Sequence, residues 1–152
     1  RSGTLQGFVH DEASAFFGGL AGNAGLFSTA RDVARVYQML LNGGEIDGQR
    51  YLSKETCQLF TTETSKISRR GLGFDKPDAD DPKKGNCAPA APAEVYGHTG
   101  FTGTCAWVDP VNELVYVFLS NRIYPDVTNR KLNQLHIRER IQGAIYDAMK
   151  KK

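Results

Sequence analysis

The chain is short of cysteine, of net charge and of long apolar runs, and each shortage excludes a class of protein. Its three cysteines, Cys57, Cys87 and Cys105, are odd in number and widely spaced, so they predict neither a disulfide framework nor a zinc site. The formal net charge is only +2 at pH 7, and the basic residues form no stripe with aromatics between them. This argues against a nucleic-acid partner. No apolar run approaches the roughly 20 residues that cross a bilayer, so no transmembrane segment is predicted.

What the chain contains is the composition of globular material. Its 152 residues are 40% hydrophobic and 24% charged, which is enough for one core but not for two comfortable domains. We therefore expect 1–152 to belong to one domain, mostly loop and helix over 1–70 and mostly strands with a C-terminal helix over 71–152. The three lysines at 150–152 are expected to be a solvated tail.

Local patterns predict two helices and a tight turn in the first half. Ser28 to Leu41 has apolar residues at helical spacing, Thr29 and Asp32 at the spacing of a capping box, and Asn42-Gly43-Gly44 as a C-cap. We expect its apolar face to be core. Asp47-Gly48 predicts a tight turn, and Ser53 to Thr61 a short helix with Ser53 as its cap.

The second half reads as strands followed by a helix. Gly71–Phe74 is a predicted short strand, and 75–93, with four prolines and four aspartates, is a predicted surface loop that cannot build a packed core. Three further strands should form an antiparallel meander, with the last, an apolar run, as a central strand buried on both faces. A helix should lie across this sheet, which makes the fold class α+β. The predicted strands are Val95–Gly100, Thr104–Asp109 and Leu114–Leu119, and the predicted helix is Leu132–Met149.

Several conspicuous residues of this half have plain structural interpretations. Cys105 is expected to be a small core residue, because free cysteine is commonly buried and a thiol without a basic partner is a poor nucleophile. Arg130, Arg138 and Arg140 are expected on a solvated face, and His136 is expected to be structural.

Two features of the first 25 residues could suggest a metal or a nucleotide. His10, Asp11 and Glu12 are metal-ligand types, but neighbours along an extended chain alternate sides, so a metal site is not predicted. The simpler interpretation is a turn in which Asp11 caps a short segment, Glu12–Phe17. The glycines between Gly18 and Gly25 fit neither the dinucleotide pattern nor the P-loop, so no cofactor is predicted.

The stretch from Tyr96 to Thr104 is the most informative in the chain. Its sequence, Tyr-Gly-His-Thr-Gly-Phe-Thr-Gly-Thr, holds three glycines, which weaken a plain strand but suit a strand edge that something approaches closely. Within it, His98, Thr99 and Gly100 set an ionisable group, a hydroxyl and bare backbone side by side. Such an edge could hold an anionic or carbonyl-bearing ligand.

This stretch, with Trp107-Val108-Asp109-Pro110 after it, resembles the third motif of the serine β-lactamase and penicillin-binding protein superfamily. The likeness is to the branch of class C β-lactamases and D-alanyl-D-alanine carboxypeptidases, some members of which carry a His in place of the motif's Lys. The segment from Gly18 to Asp32 resembles the glycine-rich turn and helix start that precede the third motif in the same branch.

The other two motifs of that superfamily are absent from the sequence. No Ser is followed three residues later by Lys, and no Tyr or Ser is followed two residues later by Asn. In the superfamily both motifs precede the Gly18–Asp32 type of segment. We therefore expect this chain to be the C-terminal part of a longer protein and to be inactive alone. Its opening, Arg1-Ser2-Gly3 without an initiator Met, agrees with that expectation.

The resemblance implies acyl transfer through an upstream serine on a peptide, amide or ester. In that case His98 is catalytic, the backbone N–H of Phe101 is an oxyanion-hole donor, and the substrate is bound at the three positions Thr99, Gly100 and Thr102. His10, Asp11 and Asn23 could line the wall of the site. Because His can be neutral near pH 7 where Lys is a fixed charge, His98 favours peptidase, esterase or amidase chemistry over β-lactam hydrolysis. The alternative is a non-catalytic module of the same fold that binds a ligand or partner.

The resemblance also implies a location and a partner. Relatives of this type act in cell-wall chemistry outside the cytoplasm, so the periplasm or cell envelope is expected. In the superfamily, strands from the N-terminal part of the domain lie next to the last strand of the meander. Without them Leu114–Leu119 is an unpaired apolar edge, which invites the missing half or another chain.

Overall fold

A computed structural model describes residues 3–62, 65, 67–78, 80–81 and 86–150. The ends of the chain at 1–2 and 151–152 lie outside the described residues, as do 63–64, 66, 79 and 82–85. In chain order the elements are α1 (Glu12–Phe16), α2 (Ala30–Leu41), β1 (Glu45–Ile46), β2 (Gln49–Arg50), α3 (Lys54–Thr61), β3 (Tyr96–Thr99), β4 (Cys105–Asp109), β5 (Leu114–Phe118), α4 (Lys131–Gln134) and α5 (Ile137–Met149).

The helices of the first half begin at the capping residues that the sequence predicts. The side chains of Asp11, Thr29 and Ser53 accept hydrogen bonds from backbone N–H groups three residues on, at the starts of α1, α2 and α3. Such caps satisfy amides that the helix itself leaves without partners. The predicted turn at Asp47-Gly48 is also confirmed, since both residues have positive φ and β1 pairs with β2 around them.

The apolar face of α2 is less buried than predicted. This helix packs on β4 and β5, but none of its residues is fully buried. Val36 is 55% exposed. The expectation that this face is core is therefore only partly met. The small three-stranded sheet covers only part of the apolar face of α2 and leaves the rest exposed.

The main sheet is the predicted antiparallel meander, with strand order β3-β4-β5. All five residues of β4 are buried, whereas β5 is mostly half-buried and pairs with β4 along one edge. The prediction of Leu114–Leu119 as the central, fully buried strand is therefore wrong for this chain. Among the described residues β5 is an edge strand, as expected where no further strand lies beside it.

The core is centred on β4 and includes part of the proline-rich loop. Its buried cluster is Cys87, Val95, Cys105, Trp107 and Tyr116. Cys105 is a core residue as predicted. The prediction that 75–93 lies entirely on the surface is wrong, because Cys87 and Ala88 are each 2% exposed.

The predicted strand Gly71–Phe74 does not form. Its neighbour Asp75 makes an isolated bridge to Gly97 of β3 instead. The Asp75 carboxylate is 1% exposed and is paired with Arg69 at 2.9 Å. A single bridge at Asp75 thus stands next to the place where the strand was predicted, and the Asp75 carboxylate is held inside the protein.

The C-terminal helix differs from prediction in two ways. It is interrupted between α4 and α5 at His136, whose φ of 49° is left-handed, so His136 has the structural role expected of it. The face that α5 buries is polar, and consists of Arg138, Gln142 and Tyr146. Arg130 and Arg140 are exposed as predicted, but the expectation of a solvated Arg138 is wrong.

Hydrogen bonds explain why polar residues of α5 face the sheet. The Tyr146 hydroxyl donates to Asp109 Oδ2 at 2.8 Å, and Gln142 Oε1 accepts the Ala88 N–H at 2.8 Å. Arg138 donates through Nη2 to Asn133 Oδ1 at 3.1 Å. Since buried polar groups are tolerated when they are bonded, these partners let α5 pack with its polar stripe inward. Some apolar residues of this region are left outward, for example Leu135 at 53% and Ile141 at 38% exposure, whereas Ile145 packs against the core.

Candidate active site on the outer edge of strand β3

Strand β3 places His98 at the surface beside a buried pair. Tyr96 and Gly97 are buried, whereas His98 is exposed and Thr99 is half-buried. A Cβ on Gly97 would lie 2.1 Å from the Ala106 carbonyl oxygen and 2.7 Å from the Trp107 ring. At this glycine it is therefore β4, rather than a ligand, that approaches closely.

The outer edge of β3 is paired at Gly97, and from Thr99 onward no backbone segment among the described residues pairs with it. Gly97 exchanges two backbone hydrogen bonds with Asp75, at 2.7 and 3.0 Å. Because successive residues of a strand direct their backbone groups to opposite edges, the N–H and C=O of Thr99 face the same edge as those of Gly97. The His98 ring nitrogen Nδ1 lies 2.7 Å from the Thr99 oxygen. The imidazole thus lies at the open part of the edge.

Among the described residues, the turn after β3 leaves more than one backbone N–H without an acceptor, that of Phe101 and that of Thr102. The Gly100 N–H donates to the Thr104 oxygen at 2.8 Å, and the Gly103 N–H donates to the Gly100 oxygen at 2.9 Å. The half-buried Thr102 accepts the Arg122 N–H at 2.9 Å through its carbonyl. Within the described part of the chain, the Phe101 N–H has no acceptor. This amide follows directly on the His-Thr-Gly sequence.

Gly103 makes this turn compact. Its φ of 103° is one that side chains rarely adopt, and a Cβ there would lie 2.5 Å from Ser120 Oγ and 2.7 Å from Leu132. The glycine therefore lets the turn pack against the chain that follows β5.

The Phe101 ring contacts two side chains that come from opposite ends of the chain. The His10 ring stacks on it with centroids 5.6 Å apart and planes 18° apart. The Arg122 guanidinium carbon lies 4.6 Å from the ring centroid. The ring itself is still 63% exposed. The turn that carries the free amide is thus in contact with the N-terminal segment and with the segment after β5.

Asp11 and Asn23 form a separate network next to His10. Asp11 Oδ1 accepts hydrogen bonds from the Ser14 N–H at 2.7 Å and from Asn23 Nδ2 at 3.2 Å. The fully buried Ser14 donates its hydroxyl to Asn23 Oδ1 at 3.1 Å. These bonds, the Ser14 amide foremost, lower the pKa of Asp11 below its ordinary value. The network holds the segment that carries His10.

The structure thus brings some candidate residues together and keeps others apart. His98, Thr99, Gly100, Phe101 and Thr102 are continuous at the end of β3, and His10 joins them through its ring contact. Asp11 and Asn23 contact each other, and no bond described here links either of them directly to β3.

Arg122 is a member of this cluster that the sequence interpretation did not include. The signal that could have revealed it is its position, four residues after the end of β5, at the end of the sheet where the His-Thr-Gly turn also lies. An arginine at such a place has a flat cationic group within reach of an exposed aromatic residue.

The three cysteines, Cys57, Cys87 and Cys105, are free and buried. Burial raises the pKa of Cys87 to about 12 and that of Cys105 to about 11, which leaves both as unreactive thiols near neutral pH. Among the described residues no group of three or more His, Cys, Asp or Glu is arranged to hold a metal ion. None of the helices described is long and apolar enough to span a membrane.

A family model called Beta-lactamase matches residues 3–139. The chain belongs to the β-lactamase family. The membership predicted from the His-Thr-Gly stretch and the Gly18–Asp32 segment is confirmed, and so is the α+β fold class. The family makes the chain a member of a group of serine hydrolases.

Curated relatives in this family are similar over most of the chain. Proteins named "Putative D-alanyl-D-alanine carboxypeptidase" from Escherichia coli (strain K12) and Salmonella agona (strain SL483) are each 37% identical over 134 residues. The aligned part is 88% of this chain and 31% of each relative. This β-lactamase family chain therefore spans about a third of the length of those relatives.

Proposed function

We propose that this chain forms one wall of an acyl-transfer site in a serine hydrolase that cleaves a small peptide, amide or ester. The observation that carries the proposal is the unpaired edge at the end of β3, where an exposed imidazole, His98, is followed three residues later by an amide without an acceptor among the described residues. Family membership and the names of the relatives support the same reaction class. By analogy with those names, a peptide ending in D-alanine is the first substrate to try, in the cell envelope.

The open edge can hold a substrate through its backbone. The N–H and C=O groups of Thr99 face outward, and an extended peptide can pair with such groups as an added strand. The bare backbone of Gly100 lets the substrate lie close. The hydroxyls of Thr99 and Thr102 are candidate donors to a carboxylate or amide of the substrate.

The Phe101 amide suits the stabilisation of a negative oxygen. A carbonyl attacked by a nucleophile gains negative charge on its oxygen, and fixed N–H donors lower that barrier. The Phe101 N–H has no acceptor among the described residues, so it is available for this purpose. Removing such a donor from an enzyme typically costs about 2.7–4 kcal/mol in the barrier.

His98 supplies proton transfer at this edge. An imidazole can gain or lose a proton near neutral pH and can pass it to or from the leaving group. The nucleophile in this proposal is a serine outside 1–152, activated by the Lys of a Ser-x-x-Lys motif. The 152-residue chain on its own is then inactive.

Covalent labelling of the full-length protein tests the proposal. A fluorescent penicillin and a fluorophosphonate are each incubated with folded and with heat-denatured protein, and the adduct is located by mass spectrometry. We expect one adduct per folded chain, on a serine of a Ser-x-x-Lys sequence, and none after denaturation. Absence of an adduct with both probes would contradict the hydrolase and favour the second candidate, a binding module of the same fold.

A further inference from the structure

We propose that Arg138 is a positioning residue for the proposed reaction, because its buried guanidinium holds the turn that presents the Phe101 amide. This inference rests on the proposed function, since it assigns a role to a side chain that lies behind the same turn. The observation that carries it is a positive charge on the buried face of α5 whose Nη1 reaches the Thr104 carbonyl oxygen.

The guanidinium of Arg138 is buried with few partners for its charge. The residue is 7% exposed. Nη2 donates to Asn133 Oδ1 at 3.1 Å, Nη1 lies 3.5 Å from the Thr104 oxygen, and Nε has no hydrogen-bond partner among the described residues. No carboxylate in the described part of the chain forms an ion pair with it. Burying a cation without such a partner costs free energy, and a role at the turn accounts for that cost.

The backbone at Arg138 is fixed relative to the sheet. The left-handed residue His136 separates α4 from α5, and α5 begins one residue later. The Tyr116 hydroxyl, on β5, donates to the Arg138 carbonyl oxygen at 3.1 Å. Tyr116 itself belongs to the buried core cluster. The guanidinium therefore acts on the turn from a firmly held base.

The Thr104 carbonyl oxygen is the point at which Arg138 reaches the turn. The same oxygen accepts the Gly100 N–H at 2.8 Å, the bond that closes the turn. A cation beside an oxygen that already accepts an N–H polarises the carbonyl and strengthens that bond. The 3.5 Å contact is long for a hydrogen bond, but the charge still acts on the carbonyl where little water screens it. Since Phe101 follows Gly100, a turn closed firmly at Gly100 fixes the direction of the Phe101 N–H.

A fixed Phe101 N–H matters more for the transition state than for binding. A donor that is already in place stabilises a developing negative oxygen without any rearrangement during the reaction. The neutral carbonyl of the bound substrate depends much less on that donor. Loss of the Arg138 charge should therefore lower kcat and leave KM nearly unchanged.

Variants of the full-length protein test this role against a matched control. Arg138→Met removes the charge, and Arg138→Lys keeps it. We expect kcat on a peptide or ester to fall by about tenfold in Arg138→Met with KM within about twofold of wild type, and Arg138→Lys to recover part of the loss. Gln142→Met is the control, because Gln142 is buried on the same face of α5 but bonds to Ala88. It should lose stability and keep kcat.

Hydrogen exchange, followed by NMR, measures the turn without any turnover. The Gly100 amide is protected by its bond to the Thr104 oxygen. In Arg138→Met it should exchange about tenfold faster relative to the amides of β4, which report the opening of the sheet as a whole. In Gln142→Met this ratio should equal that of the wild type.

The outcomes separate this inference from the proposed function. Unchanged kcat or unchanged Gly100 exchange in Arg138→Met would overturn the role of Arg138 and leave the hydrolase intact. Faster Gly100 exchange in Arg138→Met, in a protein whose wild type turns over neither substrate, would support the hold on the turn and contradict the hydrolase. If Arg138→Met folds poorly, Arg138→Gln replaces it, and wild-type kcat in that variant would likewise overturn the inference.

Discussion

His10 stacks on Phe101, with their ring centroids 5.6 Å apart and their planes 18° apart. These residues are separated by most of the chain, and their contact places the N-terminal segment against the turn of the proposed site. His10 was expected at the site wall on the basis of resemblance. The contact gives that position a physical role, which is to support the ring beside a free backbone amide.

Replacing His10 should weaken this support. We expect His10→Ala to destabilise the protein by about 0.5–1.5 kcal/mol, the usual worth of an aromatic pair, and to lower kcat/KM of the full-length protein. His10→Phe should restore both, because it restores the ring. Recovery of stability without recovery of activity in His10→Phe would indicate that the imidazole acts as a proton carrier instead, and recovery of neither would contradict the supporting role of the ring.

Replacing His98 should impair catalysis without unfolding the protein. The side chain is exposed, so His98→Ala should change the free energy of unfolding by no more than about 0.5 kcal/mol. Its kcat/KM on an ester or peptide should fall by about 10²- to 10⁴-fold, the usual contribution of acid-base catalysis. His136→Asn, at an exposed histidine whose left-handed backbone Asn tolerates, is the matched control and should be active. Full activity in His98→Ala would remove this residue from the mechanism.

Adding one methyl group at Gly97 should destabilise the sheet. The new Cβ would lie 2.1 Å from the Ala106 oxygen, a backbone atom that cannot turn aside. In Gly97→Ala the clash should push β3 away from β4 and lower the free energy of unfolding by about 1–3 kcal/mol, as overpacking usually does. Gly22→Ala has nothing within 4 Å of its Cβ and should be nearly neutral. Urea denaturation measures both, and equal midpoints would contradict the close approach.

Asp75 should stabilise the protein in a pH-dependent way. Burial acts to raise its pKa, but bonds from Asn86 and Arg69 outweigh burial and hold the pKa below the ordinary value of 3.8. A carboxylate with a lowered pKa in the folded state stabilises the protein above its unfolded pKa. That contribution is lost as pH falls through the folded value.

Asp75→Asn tests this relationship. At pH 7 we expect Asp75→Asn to lower the free energy of unfolding by about 1–3 kcal/mol, because charged hydrogen bonds to a buried group are removed. The difference from wild type should begin to shrink below about pH 4 and should vanish as pH falls through the lowered folded pKa, where the wild-type carboxyl also becomes neutral. The exposed Asp147→Asn is the control. Denaturation midpoints of wild type and Asp75→Asn are measured at pH 7 and pH 3. An equal difference between the two proteins at both pH values would contradict a pH-dependent stabilisation by Asp75.

The free edge of β5 should make the 152-residue chain associate. Among the described residues, β5 pairs with β4 on one side only, and its valines are half-buried. Unpaired apolar edges invite another strand, so size-exclusion chromatography should show larger species as concentration rises. Leu119→Lys, at a residue 43% exposed beside this edge, should reduce association. A wild-type chain that stays monomeric with ordinary stability would argue against the prediction.

The sequence by itself determined the features that depend on near neighbours. The caps at Asp11, Thr29 and Ser53 are bonds to amides three residues away, and the turn at Asp47-Gly48 depends on two residues. The order of the meander and the exposed position of His98 followed from patterns of the same short range. The family followed from one contiguous motif and one segment.

Only the tertiary structure decided what lies against what. The polar face of α5 is buried because Gln142 finds a partner 54 residues away and Tyr146 one 37 residues away. Burial of Asp75, the stack of His10 on Phe101 and the place of Arg122 over the same ring depend likewise on segments distant in sequence. The periodicity of a sequence shows which residues are polar, but it does not show which polar groups will find a hydrogen-bond partner in the fold. The presence of such a partner sets the free-energy cost of burying a polar group.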